Sequence, residues 1–129
     1  MRAIKFRGKR VDNGEWVYGS LYGAQYQETG KVGIMTAEQA GDVAIIDEVF
    51  SRTVGQYTGL KDRNGQEVYE GDILGLYPLA LWVVFWQDGG TCGYNNPRPS
   101  DIFPLKQSKT EMREVIGNIH ENPELLEGK

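Results

Sequence analysis

The sequence predicts a mainly β fold, a small barrel or sandwich with a few short helical turns. About eight short segments rich in Val, Ile, Tyr and Trp follow one another at intervals of roughly 8–12 residues, the spacing typical of all-β domains. Seventeen glycines supply the turns that such a chain needs between its strands. A length of 129 residues fits a single domain, which buries enough surface to be stable without disulfide bonds.

The N-terminal residues predict a β-hairpin. Apolar and basic side chains alternate along residues 4–7, which is the period of a half-buried strand. Asp12, Asn13 and Gly14 favour a turn, because these residue types tolerate positive φ. Residues 16–22 are rich in aromatic and β-branched side chains and would complete the hairpin.

The next part of the chain predicts shorter elements. Strands are expected at residues 32–35, after a turn at 28–30, and again at 43–46 and 53–58. Thr36 to Gln39 has the spacing of a helix-capping box, but Gly41 limits any helix there to about one turn. Asp47 and Glu48 are expected to end the strand that precedes them.

The second half predicts further hairpins and a closing turn. Asn64 followed by Gly65 favours a tight hairpin turn. Three prolines between residues 95 and 104 predict a surface loop, since a central strand does not carry proline. Asn122 and Pro123 predict a short closing helix or turn. Strands are expected at residues 66–69, 72–76, 81–86, 91–94 and 114–120.

Composition excludes several classes of protein. The single cysteine, Cys92, and the single histidine, His120, leave no internal disulfide and no metal site of paired cysteines or histidines. Because the chain has no such metal site, and because no phosphate-binding glycine motif occurs, we expect neither a metal nor another cofactor. The first residues lack the apolar core of a secretory signal, and the longest uncharged stretch, residues 73–86, is too short for a membrane helix. We therefore expect a cytoplasmic protein.

Three segments resemble the YopX family of phage and prophage proteins: residues 2–7, 53–73 and 115–126. They follow one another in the order seen in the family and bracket nearly the whole chain, and the middle segment is the most specific. The resemblance implies a single YopX-like domain over residues 1–129, with an SH3-like barrel or roll at 51–129 on which the strands and irregular segment of residues 1–50 pack. It implies no chemistry, because the family is functionally uncharacterised, and no catalytic residue carries over.

The middle segment also has a physical interpretation of its own. Its glycines fit tight turns or close backbone approaches, Asp62 fits a turn whose amides bond to the carboxylate, and Tyr57 and Tyr69 fit cross-strand packing. A folding motif is the simpler interpretation, and a ligand groove lined by Tyr57, Tyr69 and Asp72 is the alternative. The structural signature comprises Gly55, Tyr57, Gly59, Asp62, Gly65, Tyr69, Gly71 and Asp72.

Candidate catalytic groups are few. Glu67, Glu70 and Asp72 form a carboxylate cluster, but they fall on an expected solvated turn rather than on two facing walls. Cys92 and His120 could form a nucleophile–base pair only if the fold happened to join them. We therefore expect a protein that is not an enzyme, with a carboxylate-based hydrolase as the least favoured alternative.

The N-terminus supplies a candidate nucleic-acid surface. Alternation along the first strand would place Lys5, Arg7 and Lys9 on one face, and small barrels bind single strands by pairing such a basic track with exposed aromatic residues such as Trp16 and Tyr18. An edge strand protected by charge against aggregation is the alternative interpretation. The candidate nucleic-acid contacts are Arg2, Lys5, Arg7, Lys9 and Arg10.

The apolar strand at residues 81–86 supplies a candidate protein interface. Both of its faces are apolar, which fits either a central strand buried on both sides or a surface that another subunit covers. The candidate interaction residues are Trp82, Val84, Phe85 and Trp86. The leading prediction is thus a non-catalytic phage or prophage accessory protein that contacts itself as a homo-oligomer, or a host or phage protein; nucleic acid is a less favoured partner, and a membrane is not expected.

Overall fold

A computed structural model of the chain describes residues 5–22, 31–39, 43–75, 81–87, 90–96 and 102–126. Over these residues the protein is mainly β, with strands paired antiparallel in two sheets, one four-residue α-helix, and 3-10 turns at Ser51–Thr53 and Pro123–Leu126. The strands and the helix are β1 (Phe6–Lys9), β2 (Trp16–Tyr22), β3 (Lys31–Gln39), β4 (Val43–Phe50), β5 (Gly55–Lys61), β6 (Glu67–Tyr69), β7 (Asp72–Gly75), β8 (Leu81–Gln87), β9 (Gly90–Asn96), β10 (Ile102–Pro104), α1 (Gln107–Thr110) and β11 (Glu114–Asn118).

The chain forms two compact units, Met1–Tyr57 and Thr58–Lys129, and the division falls inside β5. In the first unit the strand order is β4-β3-β2-β1-β5. The predicted N-terminal hairpin is confirmed: β1 pairs with β2, and Gly14 in the connecting turn has a φ of 74°. Buried Val32, Ile34 and Val49 form the core of this unit, with partly buried apolar side chains from β1 and β2 packed against them.

A glycine in β1 lets the core of the first unit close. A Cβ atom on Gly8 would lie 2.8 Å from Cγ2 of Val49 and 3.2 Å from Cδ1 of Ile34. Beyond Gly8, Arg10 forms an isolated antiparallel bridge with Val49, and the Val11 amide donates to the carbonyl of Glu48 at 2.9 Å. The end of β1 is thus held directly against β4 because residue 8 has no side chain.

The second unit contains a five-stranded sheet of order β10-β9-β8-β7-β11, together with the hairpin that joins the end of β5 to β6. The apolar strand β8 lies at the centre of the five-stranded sheet. The core of the second unit consists of buried side chains from four segments, and Leu60, Phe103 and Val115 pack against it. The buried members are Val68, Leu74, Trp82, Val84 and Leu105.

Two sequence predictions in the first unit are wrong. Residues 36–39 are strand rather than a helical turn, because the backbone of Ala37–Gln39 pairs with Val43–Ile45 across a register shift that follows Met35. Asp47 and Glu48 do not end β4; they pair with Ile34 and Gly33 in the same ladder. Pairing with a neighbouring strand overrides the local preference in both places.

Two predictions in the second unit are also corrected. Residues 102–104, expected in a loop, pair with Cys92–Tyr94 as an edge strand, a position that tolerates Pro104. The last strand ends at Asn118, and its pairing with β7 contains an irregularity between Val115 and Gly117. The closing turn is confirmed as the 3-10 turn Pro123–Leu126.

An SH3-like barrel is not confirmed, since the strand orders of the described residues leave both sheets open. The described residues contain eleven strands where the sequence predicted about eight. β10 is the strand for which a loop was expected, and β3 and β4 extend further than predicted. The expected turn at residues 28–30 lies outside the described residues. Among the described residues, no helix is long and apolar enough to cross a membrane.

Candidate interaction face

The basic side chains of the first strand lie beside aromatic rings of its neighbours. β1 pairs with β2 so that Lys9 faces Trp16 and Arg7 faces Tyr18. The Arg7 guanidinium lies 4.5 Å from the centre of the Trp16 ring, and the Lys9 ammonium lies 5.9 Å from the same ring. The alternation expected for Lys5, Arg7 and Lys9 is therefore present, with Phe6 packed against the core.

These cations cover the aromatic rings that a nucleic-acid base would need. Lys5 lies 5.3 Å from the ring centre of Tyr57, and both Tyr57 and Arg7 are buried, Arg7 with 6% of its surface exposed. Cation–aromatic contacts of this kind contribute about 0.5–2 kcal/mol each to the fold. The face thus uses much of its charge and aromatic surface internally.

The next basic residue along the chain is engaged by carboxylates. The Arg10 guanidinium donates to both carboxylate oxygens of Asp12, at 3.0 and 2.8 Å, and lies 3.8 Å from Asp47. The hydrogen bond to Asp12 raises the pKa of Arg10 above its ordinary value, and the nearby negative charges add to that effect. Arg10 lines a cleft of about 280 Å³ together with Val11, Asp12, Ile46, Asp47 and Glu48. Arg2 lies outside the described residues.

The same face continues across three strands as a row of three large apolar side chains and one serine. Met35 is the cross-strand partner of both Ser20 and Ile46, and Tyr18 lies two residues before Ser20 on β2. Tyr18 and Ile46 are 46% and 43% exposed, Ser20 is exposed and Met35 is half-buried. We name Tyr18, Ser20, Met35 and Ile46 the outer row. It ends at β4, the edge strand of this unit.

The sequence predicted a different interaction surface, formed by apolar residues of β8. Trp82 and Val84 are 8% and 1% exposed and belong to the core of the second unit, while Val83 is buried on the opposite face of β8. A central strand buried on both sides accounts for this pattern, so Trp82 and Val84 are not part of an exposed surface in the chain. Phe85 and Trp86, at the end of the strand, are half-buried.

Asp62 is the centre of the signature hairpin. Its buried carboxylate accepts hydrogen bonds from the backbone amides of Asn64 and Gln66 through Oδ1, at 2.8 and 2.9 Å. Its Oδ2 accepts from the amide of Val115 at 2.9 Å. The carboxylate therefore holds the turn and ties it to β11. Among the signature glycines, three have positive φ, namely Gly59, Gly65 and Gly71, whereas Gly55 begins β5.

The other polar signature residues are engaged in the fold as well. Asp72 is buried and accepts from the Tyr69 amide at 2.7 Å, and the Tyr69 hydroxyl donates to Glu67 at 3.0 Å. Tyr57, Tyr69 and Asp72 are each buried, so they do not line an open groove. Within the described residues, no group of three or more His, Cys, Asp or Glu side chains is arranged to hold a metal ion.

Sequence reasoning missed the outer row and one cation of the second unit. Met35 and Ile46 are the last residues of the strands predicted at 32–35 and 43–46, but that they lie opposite each other depends on the register of β3 with β4, which the local pattern does not show. Arg113 stacks on Trp82, with its guanidinium carbon 3.3 Å from the ring centre. Burial lowers the pKa of this guanidinium from its ordinary value. No local pattern signals that contact, because Trp82 lies on β8 and Arg113 lies just before β11, far apart in the sequence.

Comparison with known proteins gives a family and a similar structure. Residues 5–127 match the sequence profile of the family described as YopX protein. The solved structure described as "Crystal structure of protein EF1440 from Enterococcus faecalis" is 28% identical and has a TM-score of 0.64. The similarity covers 98% of this chain and 100% of that chain. The comparison with curated proteins gave no match.

Proposed function

The chain belongs to the YopX protein family, and from that premise we propose that it is a non-catalytic accessory protein of a phage or prophage that acts through protein–protein contact and associates with itself. The observation that carries this proposal is the outer row, which presents apolar side chains on three adjacent strands of the first unit. Exposed apolar side chains gathered on one face are typical of protein interaction sites.

A second copy of the chain is the partner that this face fits best. β4 is an eight-residue edge strand, and in the described part of the chain no strand pairs with the other edge of Val43–Ile46. Arg10 and Val11 bond to the Glu48–Val49 end of this strand, so its unpaired part is Val43–Ile46. An unpaired strand edge is a template for pairing with another chain. Antiparallel pairing of β4 with β4 of a second copy would join the two sheets and bring the two outer rows onto one continuous face.

The engagement of the signature carboxylates supports a role without catalysis. Asp62 and Asp72 are buried and accept backbone hydrogen bonds, and Glu67 accepts from Tyr69. General acid–base catalysis needs two carboxyl groups that face a shared substrate space, one of them with a raised pKa. Instead, these carboxylates stabilise turns in the second unit.

Sedimentation equilibrium tests self-association directly. We expect a species of about twice the 14.5 kDa monomer mass at a chain concentration of about 100 μM, where a dimer of micromolar affinity is largely formed. Ile46→Glu places a charge in the outer row beside the β4 edge and should give a monomer under the same conditions. The half-exposed position allows the charge in the folded monomer, because its carboxylate can reach water.

Ile116→Glu is the matched control for this experiment. Ile116 is 40% exposed, has the same side chain and lies on β11 of the second unit. This variant should keep the mass of the wild type. A wild-type chain that is monomeric at about 100 μM, or the same loss of mass in both variants, would refute self-association through the outer row.

Nucleic-acid binding through the N-terminal strand is the second candidate function. Its support is that Lys5, Arg7 and Lys9 share one face with the exposed Tyr18. The burial of Arg7 and the cations already lying on the rings make it the less favoured proposal. The double variant Lys5→Glu, Lys9→Glu should abolish binding of a labelled single-stranded DNA if this strand is the interface, and unchanged binding would exclude it.

A further inference from the structure

A second group of basic residues comes together in the second unit, far along the chain from the N-terminal strand. Two segments, residues 61–66 and 106–114, contain five Lys or Arg against three Asp or Glu, in a chain whose net charge is −4. The five cations of this basic patch are Lys61, Arg63, Lys106, Lys109 and Arg113.

The short helix α1 fixes half of the basic patch. The side chain of Gln107 accepts from the Lys61 amide at 3.1 Å and donates to the Lys61 carbonyl at 2.9 Å. Thr110, which is fully buried, donates its hydroxyl to the same carbonyl at 2.8 Å. The helix that carries Lys109 and begins just after Lys106 is thus fastened to the backbone of Lys61.

The turn around Asp62 fixes the other half of the basic patch, Arg63 and Arg113. The Arg63 amide donates to the Arg113 carbonyl at 2.8 Å, beside the bond from Val115 to the Asp62 carboxylate. The Arg113 guanidinium is held on the Trp82 ring and donates to the Lys109 carbonyl at 3.0 Å. The backbone positions of all five cations are therefore set by hydrogen bonds rather than by flexible loops.

The acidic residues of these segments leave three exposed lysines without an ion pair in the described part of the chain. Asp62 is buried and its oxygens are used by backbone amides. Glu114 pairs with Arg63 at 2.8 Å, which leaves Glu111 as the remaining exposed carboxylate of the two segments. The exposed Lys61, Lys106 and Lys109 have no ion pair within the described residues.

We propose that the basic patch binds the phosphate backbone of a nucleic acid, with Lys61, Lys106 and Lys109 as the principal phosphate contacts. Unpaired positive charge on two segments that hydrogen bonds hold together complements a polyanion. A nucleic acid is a densely charged polyanion, with one negative charge per about 1.7 Å of duplex. A protein partner would need aromatic or apolar anchors at the centre of its interface. In these two segments Met112 is the one large apolar side chain that is exposed.

Contacts of this kind predict binding that is strong at low salt and weakly dependent on base sequence. Phosphate contacts fix position but carry no direct sequence information. Each contact to single-stranded nucleic acid contributes about 0.7 to the slope of log K against log salt. Three lysine contacts therefore account for about 2 units of that slope, and this value can be measured independently of the affinity itself.

Fluorescence anisotropy of a labelled 20-nucleotide single-stranded DNA and of the corresponding duplex tests the proposal. At about 50 mM salt, the triple variant Lys61→Glu, Lys106→Glu, Lys109→Glu should bind at least about 10-fold more weakly than wild type, with the salt slope lower by about 2. The three lysines are exposed and their charges are not used by the fold, so the urea midpoint of the variant should match that of wild type.

The double variant Lys5→Glu, Lys9→Glu is the charge-matched control on the first unit and should retain most of the binding. The proposal is overturned if wild type does not bind either DNA, if the triple variant binds as well as wild type, or if both variants lose affinity equally. A labelled poly-glutamate peptide that binds as tightly as DNA would also overturn it, in favour of an acidic protein partner. If the Ile46→Glu variant still binds DNA, the basic patch acts independently of self-association.

Discussion

The tight packing around Gly8 in the first unit gives the sharpest stability prediction. An alanine at Gly8 would place its Cβ 2.8 Å from Cγ2 of Val49, 3.0 Å from its Cβ, and 3.2 Å from Cδ1 of Ile34. Carbon atoms pack best at about 3.5–4.0 Å, so each of these contacts is too short by several tenths of an ångström. Val49 and Ile34 are fully buried and cannot turn towards solvent.

The net effect of Gly8→Ala follows from two opposed terms. Overpacking a well-ordered core costs about 1–3 kcal/mol. Replacing glycine lowers the entropy of the unfolded chain, which returns about 0.4–1 kcal/mol. The free energy of unfolding should therefore fall by about 1–2 kcal/mol, and with an m-value of about 2 kcal/mol/M the urea midpoint should fall by roughly 0.5–1 M.

Urea unfolding followed by tryptophan fluorescence measures this change, and Gly90→Ala is the control. The nearest atom to a Cβ at Gly90 is the Gln87 carbonyl oxygen, at 3.9 Å, so that variant should match wild type or exceed it slightly. A Gly8→Ala variant as stable as wild type would refute the argument. So would a strictly additive double variant with Val49→Ala, because removing the clashing Cγ2 methyl group of Val49 should cancel part of the cost.

Two further predictions concern the signature turn. Asp62→Asn replaces the oxygen that accepts from Val115 with an amide group that donates, so two donors face each other. The free energy of unfolding should therefore fall by about 2–3 kcal/mol. Asp12→Asn, at an exposed carboxylate, is the control, and an equal urea midpoint in both variants would contradict this role of Asp62. Gly65 has a φ of 81° and open space around its Cβ position, so Gly65→Ala should cost about 1–2 kcal/mol through backbone conformation alone, and Gly65→Asn less, because asparagine adopts this conformation more readily. Equal urea midpoints for Ala and Asn would show that conformation is not the cause.

Local patterns predicted the elements that depend on neighbouring residues. The first hairpin appears where alternation and turn residues placed it, and β8 appears where a continuous apolar run placed it, since these signals lie within a few residues of each other. The strand at residues 36–39 was missed because its stability comes from pairing with β4 rather than from its own residues. The edge strand at 102–104 was missed for the same reason, as its partner lies about ten residues earlier in the chain.

The candidate surfaces were less predictable than the strands. Alternation placed Lys5, Arg7 and Lys9 on one face, but it could not show that Arg7 lies buried against Trp16. The basic patch was missed because neither residues 61–66 nor residues 106–114 are strongly basic alone. They become one surface through tertiary hydrogen bonds such as that from Thr110 to Lys61, across 49 residues of sequence.

The hydrogen bond from the Val115 amide to the Asp62 carboxylate also determines when the second unit can finish folding during translation. The two residues are 53 positions apart, so at about 5–20 residues per second the ribosome needs roughly 3–11 s to supply the second partner after the first. Until then the carboxylate holds only its own turn, and β7 lacks β11 as its neighbour. During translation, the second unit therefore stays incomplete until its last strand is released, and a chain truncated before residue 115 should be a substrate for chaperones and proteases rather than a folded protein.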